Sequence, residues 1–195
     1  MNKSRNPIRI TPASPSPSRR VVRETLPVLG PSFFDRPAEI VARELIGAVL
    51  MRRVSGHEQA LSISETEAYL GPHDLASHSA RGRTPRTEVM FGPPGRLYIY
   101  LVYGLHLMLD VVTGPRGSGS AVLIRAAGNA QGPGVLGREL SLTTDLNGKA
   151  ASRQTGLWFR RGNPLVRRII AGPRIGVAYA GPTWSRRKLR FILVS

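Results

Sequence analysis

Glu65 and Glu67 stand two residues apart in Glu65-Thr66-Glu67-Ala68-Tyr69, the end of an alternating apolar run that begins at Leu61. On a strand, positions two apart share a face, so both carboxylates and the Tyr69 ring are expected on one side. An aromatic ring beside a carboxylate suits a site where something flat is held near a general base. The same carboxylates also suit a plainer role, solvated or paired with arginine, and the pattern alone leaves both readings open.

Other residues narrow the chemistry. Glu67 is the first candidate for acid–base work, His78 the second, and His106 reads as a turn residue. His73, Asp74 and His78 are not spaced as a recognised metal-ligand set, so no metal is expected. Gly92-Pro93-Pro94-Gly95 lacks the lysine of a nucleotide-phosphate cradle, and no Gly-x-Ser-x-Gly elbow is present. The chain has no cysteine, which removes thiol catalysis, thiolate zinc sites, iron–sulfur clusters and disulfides, and fits a reducing cytoplasm.

The elements that must position these residues follow from local patterns. Pro37 to Ile46 is expected to be a helix, capped by Asp35 and stopped by Gly47, with Ile40, Val41 and Leu45 toward the core. Ala48 to Val54 and Ala60 to Tyr69 read as strands joined at Ser55-Gly56. Leu70 to Gly95 is a long loop holding Arg81-Gly82-Arg83-Thr84-Pro85-Arg86, a stretch suited to phosphate. Leu97 to Thr113 reads as two strands around a tight turn, with Tyr98 and Tyr100 on one face and Tyr103 at the tip. An aromatic at a hairpin tip suits a wedge between bases, although most strand tyrosines are half-buried sheet residues.

Further on, Ser120 to Ala126 is expected as a strand and Gly132 to Leu140 as a short helix. Short strands are expected at Leu157 to Arg160, Arg167 to Ile170, Arg174 to Tyr179 and Lys188 to Val194. The expected fold class is α+β, one compact domain over residues 26–195 with a mainly antiparallel curved sheet, short flanking helices and a protruding tyrosine-bearing hairpin. Residues 1–25 read as a disordered basic tail: the first 23 hold six positive charges, four Pro, four Ser and no acid.

Lys and Arg number 28 against 12 Asp and Glu, a net charge of +16, and only three of the 28 are lysines. Arginine presents a planar fork that suits phosphate, so the balance favours a polyanionic partner such as nucleic acid. The chain holds no apolar run long enough for a membrane span, so no membrane is expected.

The sequence resembles the alkyladenine (3-methyladenine) DNA glycosylase family. The resemblance is carried by Glu65 to Pro72, Ala76 to Ser79 around His78, Thr84-Pro85-Arg86, Tyr98 to Gly104, Val122 to Ala126 and Gly172 to Val177. It runs from about Leu26 to the C-terminus, opening on Phe33-Phe34 and Asp35-Arg36-Pro37. It implies Glu67 as the general base that activates water, with Arg125 positioning that water. It implies Tyr69 and His78 along one side of a flipped base, Tyr100 opposite, Asp110 at the base edge, and Tyr103 in the minor groove. Tyr98, Arg81 and Arg86 are then expected to bind DNA as well. The implied partner is double-stranded DNA containing damaged purines, met by a monomer without a cofactor.

With only Lys3, Lys149 and Lys188 available as side-chain amines, a monofunctional enzyme is expected, one that leaves the abasic strand uncut. Asp110 replaces the asparagine usual in the resembled family, and an ionised Asp accepts hydrogen bonds only. If Asp110 is ionised, that predicts a preference for cationic alkylpurines and tolerance of the exocyclic amine of a methylated guanine. Thr87 replaces another asparagine, which puts a local turn or phosphate contact in question. The competing reading is a nucleic-acid-binding module without catalysis; a carboxylate inside a site built for phosphates argues against it. An RNA-directed enzyme is the third, with no stacked single-strand reader modules to support it.

Overall fold

The computed structural model describes residues 26–162 and 168–194. The tail expected over residues 1–25 and the strand start expected at Arg167 lie outside the described residues.

Pro31–Phe34 forms a one-turn helix, α1, and Ala38–Leu45 a two-turn helix, α2. Asp35 does not cap α2. It closes α1, its N–H bonding the Pro31 carbonyl at 2.9 Å, and Pro37 takes the cap position of α2. Ala38, Val41, Ala42 and Leu45 form the buried stripe of α2, and Ile40, one step around the helix, points outward instead of into the core.

The sheet contains β1 (Val49–Val54), β2 (His57–Tyr69), β3 (Leu97–Val102), β4 (His106–Thr113), β5 (Ser120–Ala127), β6 (Ala130–Gln131), β7 (Leu157–Arg160), β8 (Arg168–Gly172) and β9 (Arg190–Val194). Its order is β3-β4-β5-β2-β1-β7, with β6 on β5, β9 on β2 and β8 on β9. Pairing among the described strands is antiparallel throughout. Two short helices, α3 (Pro133–Glu139) and α4 (Gly181–Ser185), complete the α+β fold. The main core lies between α2, α3 and the inner sheet face, built from Val41, Leu45, Leu109, Val111, Val122, Ile124, Leu136 and Phe159 among others.

Strand β2 changes face partway along. Ile63 is in the core, and so are Thr66 and Ala68, three and five residues later. An unbroken strand cannot bury both sets on one side. The β2–β5 register shifts on either side of Glu65, a bulge that reverses the alternation. Without it Glu67 and Tyr69 would follow Ile63 into the core. With it they turn to the opposite face, and Thr66 takes the core position, donating to the Ala42 carbonyl at 2.8 Å.

Arg174 to Tyr179 is not a strand. It is an irregular segment leading into a 3-10 turn at Ala178–Ala180. Gly176 has φ 77°, a backbone conformation incompatible with a strand, and Arg174 is drawn into a buried ion pair.

Candidate active site

One cross-strand row defines the floor of the site. Tyr98 on β3 lies opposite Asp110 on β4, Asp110 opposite Leu123 on β5, and Leu123 opposite Glu67 on β2. Directly opposed residues share a face, so these side chains rise together on the side away from the main core. The next residues on that face, two positions along, are Tyr100, Met108, Arg125 and Tyr69. They line a cavity of about 360 Å3 with His78, Asp110, Tyr103, Ile175 and Tyr179. That volume lies at the lower end of ordinary small-ligand sites.

Glu67 lies behind the cavity lining, against Tyr69, Arg125 and Ile175, with 0 % of its surface exposed. Its Oε1 accepts from the Ile175 N–H at 2.8 Å and lies 3.3 Å from Arg125 Nη1; its Oε2 accepts from the Tyr69 hydroxyl at 2.9 Å. A carboxylate offers about four acceptor positions. Hydrogen bonds use two, and the Arg125 ion pair flanks Oε1, which leaves acceptor capacity for a water. Burial pushes the Glu67 pKa up, and Arg125, Ile175 and Tyr69 hold it back. A carboxylate shifted upward is a stronger base once ionised, which suits activation of water.

Glu65 takes the arginine-paired role, one of the two readings its pattern leaves open. Its Oε1 accepts from Arg125 Nε at 2.9 Å and from Arg190 Nη1 at 2.9 Å. Glu65 thereby holds Arg125 against Glu67. Arg190, opposite Glu67 on β9, was not among the expected site residues.

A second support ties the loop after β2 to the C-terminal segment. Asp74 and Arg174, both with fully buried side chains, pair through two contacts of 2.5 and 2.8 Å. Asp74 also accepts the N–H groups of Leu70 and Ala76, and Arg174 donates to the Ala68 carbonyl at 2.9 Å. The Arg174 guanidinium lies 4.7 Å from the Tyr69 ring centre. This pair sets Tyr69 and, one residue along, the Ile175 N–H on Glu67. Breaking a buried pair by removing one partner typically costs about 3–5 kcal/mol. One hundred residues separate the two, so local spacing gave no sign of it. Asp74 was visible only as a weak metal-ligand candidate.

His78 starts a 3-10 turn, and its Nδ1 lies 3.1 Å from the Tyr98 hydroxyl. Burial, with Arg86 and Arg81 nearby, lowers its pKa to about 4, so the ring is neutral at pH 7. Its ring stands edge-on to Tyr100 with centres 4.8 Å apart. A base sandwiched between two rings needs about 7 Å, two contact distances. His78 therefore shares the wall of Tyr100 and does not face it, contrary to the expected arrangement. Tyr98, expected to bind DNA, is only 1 % exposed, stacks on Tyr100 at 4.8 Å and supports His78 from behind. A ring so covered presents no surface to a duplex.

Tyr103 projects from the β3–β4 tip with 90 % of its surface exposed. Its φ of 53° is a left-handed conformation, uncommon for an aromatic residue. Arg81 and Arg86 are exposed beside the cavity, with Arg86 5.8 Å from the Tyr100 ring centre. Thr87 resolves the question raised by its substitution. Its buried hydroxyl donates to the Gly82 carbonyl at 2.8 Å and accepts from the Thr84 N–H at 2.9 Å, pinning the arginine-bearing loop.

Asp110 is 3 % exposed, and its Oδ1 has no hydrogen-bond partner among the described residues. Burial drives its pKa up to about 8; the Tyr100 hydroxyl opposes that shift and the charge of Glu67 adds to it. Asp110 therefore carries a proton at neutral pH. The condition of an ionised Asp110, on which the preference for cationic bases depends, is therefore not met near pH 7, and a neutral acid also has a donor.

Known proteins share this sequence pattern. Residues 32–130 match the family described as Methylpurine-DNA glycosylase (MPG). A protein of Myxococcus xanthus is 47% identical over 169 residues, spanning 82% of this chain and 86% of its own length. One of Anaeromyxobacter dehalogenans is 45% identical over 175 residues, spanning 83% and 81%. One of Methanocella arvoryzae is 42% identical over 176 residues, spanning 80% and 88%. All three are provisionally named 3-methyladenine DNA glycosylases. With the matched region, the extent of identity and the cavity pointing the same way, the chain belongs to the methylpurine-DNA glycosylase family.

Proposed function

We propose that this protein is a monofunctional 3-methyladenine-type DNA glycosylase acting in base excision repair. It extrudes an alkylated purine from duplex DNA and hydrolyses its N-glycosidic bond. A base inside a duplex is out of reach, so it must be flipped into a pocket. The cavity between Tyr69 and the Tyr100–His78 wall receives it, and Tyr103 fills the gap left behind. Glu67 accepts a proton from the water that attacks the sugar C1′, with Arg125 placing that water. An alkylated purine such as 3-methyladenine already departs as a cation-derived leaving group, so a single base goes far.

The observation that carries this reading is the Glu67 carboxylate, buried beside the cavity, held by two hydrogen bonds and the Arg125 ion pair, with acceptor capacity left for a water. A module that only binds phosphates gains nothing from such a group. Among the described residues no lysine lines the cavity, which supports simple hydrolysis over an amine-linked intermediate. The absence of cysteine supports a cytoplasmic setting.

The test is incubation with a duplex carrying one 7-methylguanine or 3-methyladenine. The expected products are the free base and an intact abasic strand, with no DNA adduct trapped by borohydride. A trapped adduct overturns the monofunctional mechanism. Tight binding with no base released favours the binding module.

A further inference from the structure

Among the described residues, Asp110 is the one buried titratable group in the cavity wall that the proposed hydrolysis does not use. It sits in the same cross-strand row as Glu67, with Leu123 between them. Two strand spacings separate their Cα atoms by roughly 10 Å. In inverting glycosidases it is the two carboxyl groups that stand about 6.5–9.5 Å apart, a span that two side chains rising from one face of such a row can bracket. The Asp110 carboxyl also borders the cavity, and its Oδ1 has no partner although it is almost wholly buried. A buried oxygen left unpaired is costly unless a ligand completes it.

We propose that Asp110 is the general acid of this site, donating a proton to the departing base while Glu67 takes one from water. This rests on the glycosylase reading above and adds to it the class of substrate that needs such help, neutral purines such as hypoxanthine. Water loses a proton to the Glu67 carboxylate, and its oxygen bonds to C1′. The C1′–N bond breaks, its electron pair goes to the base, and the Asp110 O–H proton goes to an acceptor nitrogen of that base. Asp110 is left as a carboxylate and Glu67 as an acid, and exchange with solvent resets both.

The groups around Asp110 keep its proton in place. Tyr98 and Tyr100 approach from β3, Glu67 and Tyr69 from β2, Arg125 from β5 and His78 from the 3-10 turn. Glu67 opposes a second negative charge, and Arg125 is already engaged by Glu65 and Glu67. His78 is neutral near pH 7. The Asp110 pKa of about 8 fits an acid that is loaded at neutral pH and yields its proton readily.

The test is single-turnover release of hypoxanthine and of 7-methylguanine from matched duplexes, by wild type and Asp110→Asn, from pH 5.5 to 9.5. In the wild type, hypoxanthine release should fall above about pH 8 while 7-methylguanine release shows no such limb. Asp110→Asn should lower hypoxanthine release about 100-fold or more at pH 7, lower 7-methylguanine release far less, and remove the alkaline limb. An equal change for both bases, or a change in their ratio with the alkaline limb retained, gives Asp110 a shape-filling role and overturns the proposal. Release of 7-methylguanine but no hypoxanthine by the wild type also overturns it, leaving the glycosylase reading intact. Release of neither base by the wild type removes that reading itself.

Discussion

Asp110 shows how one buried residue sets both chemistry and stability. The folded chain binds a proton at Asp110 up to about pH 8, whereas the unfolded chain releases it near the ordinary value of 3.8. Between those limits the native state holds more protons, so stability from this group is full below pH 4 and is lost as pH rises through about 8. Asp110→Asn removes that loss. Its Tm should match wild type near pH 4 and exceed it by several degrees at pH 8.5, at ~2–4 °C per kcal/mol for a chain of this size. Thermal melts at the two pH values check this; equal Tm values at pH 8.5 would show that Asp110 is ionised without cost. Glu67, raised for the same reason of burial, should give base release an acid limb above the usual carboxylate range.

Among the elements, the β3–β4 hairpin and the bulge in β2 position the site, and they differ in how plainly the sequence announces them. The alternating β-branched and aromatic residues of Leu97 to Thr113 gave the hairpin and placed Tyr103 at its tip. Spacing by two grouped Glu65, Glu67 and Tyr69 correctly. It did not show that this face opposes that of Ile63, because a bulge is a long-range pairing feature with no fixed residue signature. The Asp74–Arg174 pair and the second-layer role of Tyr98 stayed hidden for a related reason. Both depend on which distant segments meet.

Tyr103 holds a left-handed φ that costs roughly 1–2 kcal/mol for a residue of this kind. Asparagine tolerates the same conformation. Tyr103→Asn should therefore leave stability unchanged or up to ~1 kcal/mol higher, while release of a damaged base from duplex falls about tenfold or more. Release from a single strand, which needs no wedge, should fall much less. Denaturant unfolding and paired excision assays check it, and equal loss on both substrates would remove the wedge role.

At the level of the whole molecule, a net charge of +16 brings the chain to DNA, while the cavity decides what happens there. If about six phosphates are neutralised, affinity for undamaged duplex should fall by about 10³-fold between roughly 50 and 200 mM salt. A flat response would place the arginines outside the interface. Charge alone does not separate an enzyme from a binding module, since both need it.

That separation rests on Glu67, so the decisive measurement is single-turnover base release by Glu67→Gln beside its affinity for the same damaged duplex. Glutamine keeps the shape but cannot accept the proton from water. The account predicts release slowed by at least ~100-fold with affinity within a few-fold of wild type. Release close to the wild-type rate with binding retained would contradict it.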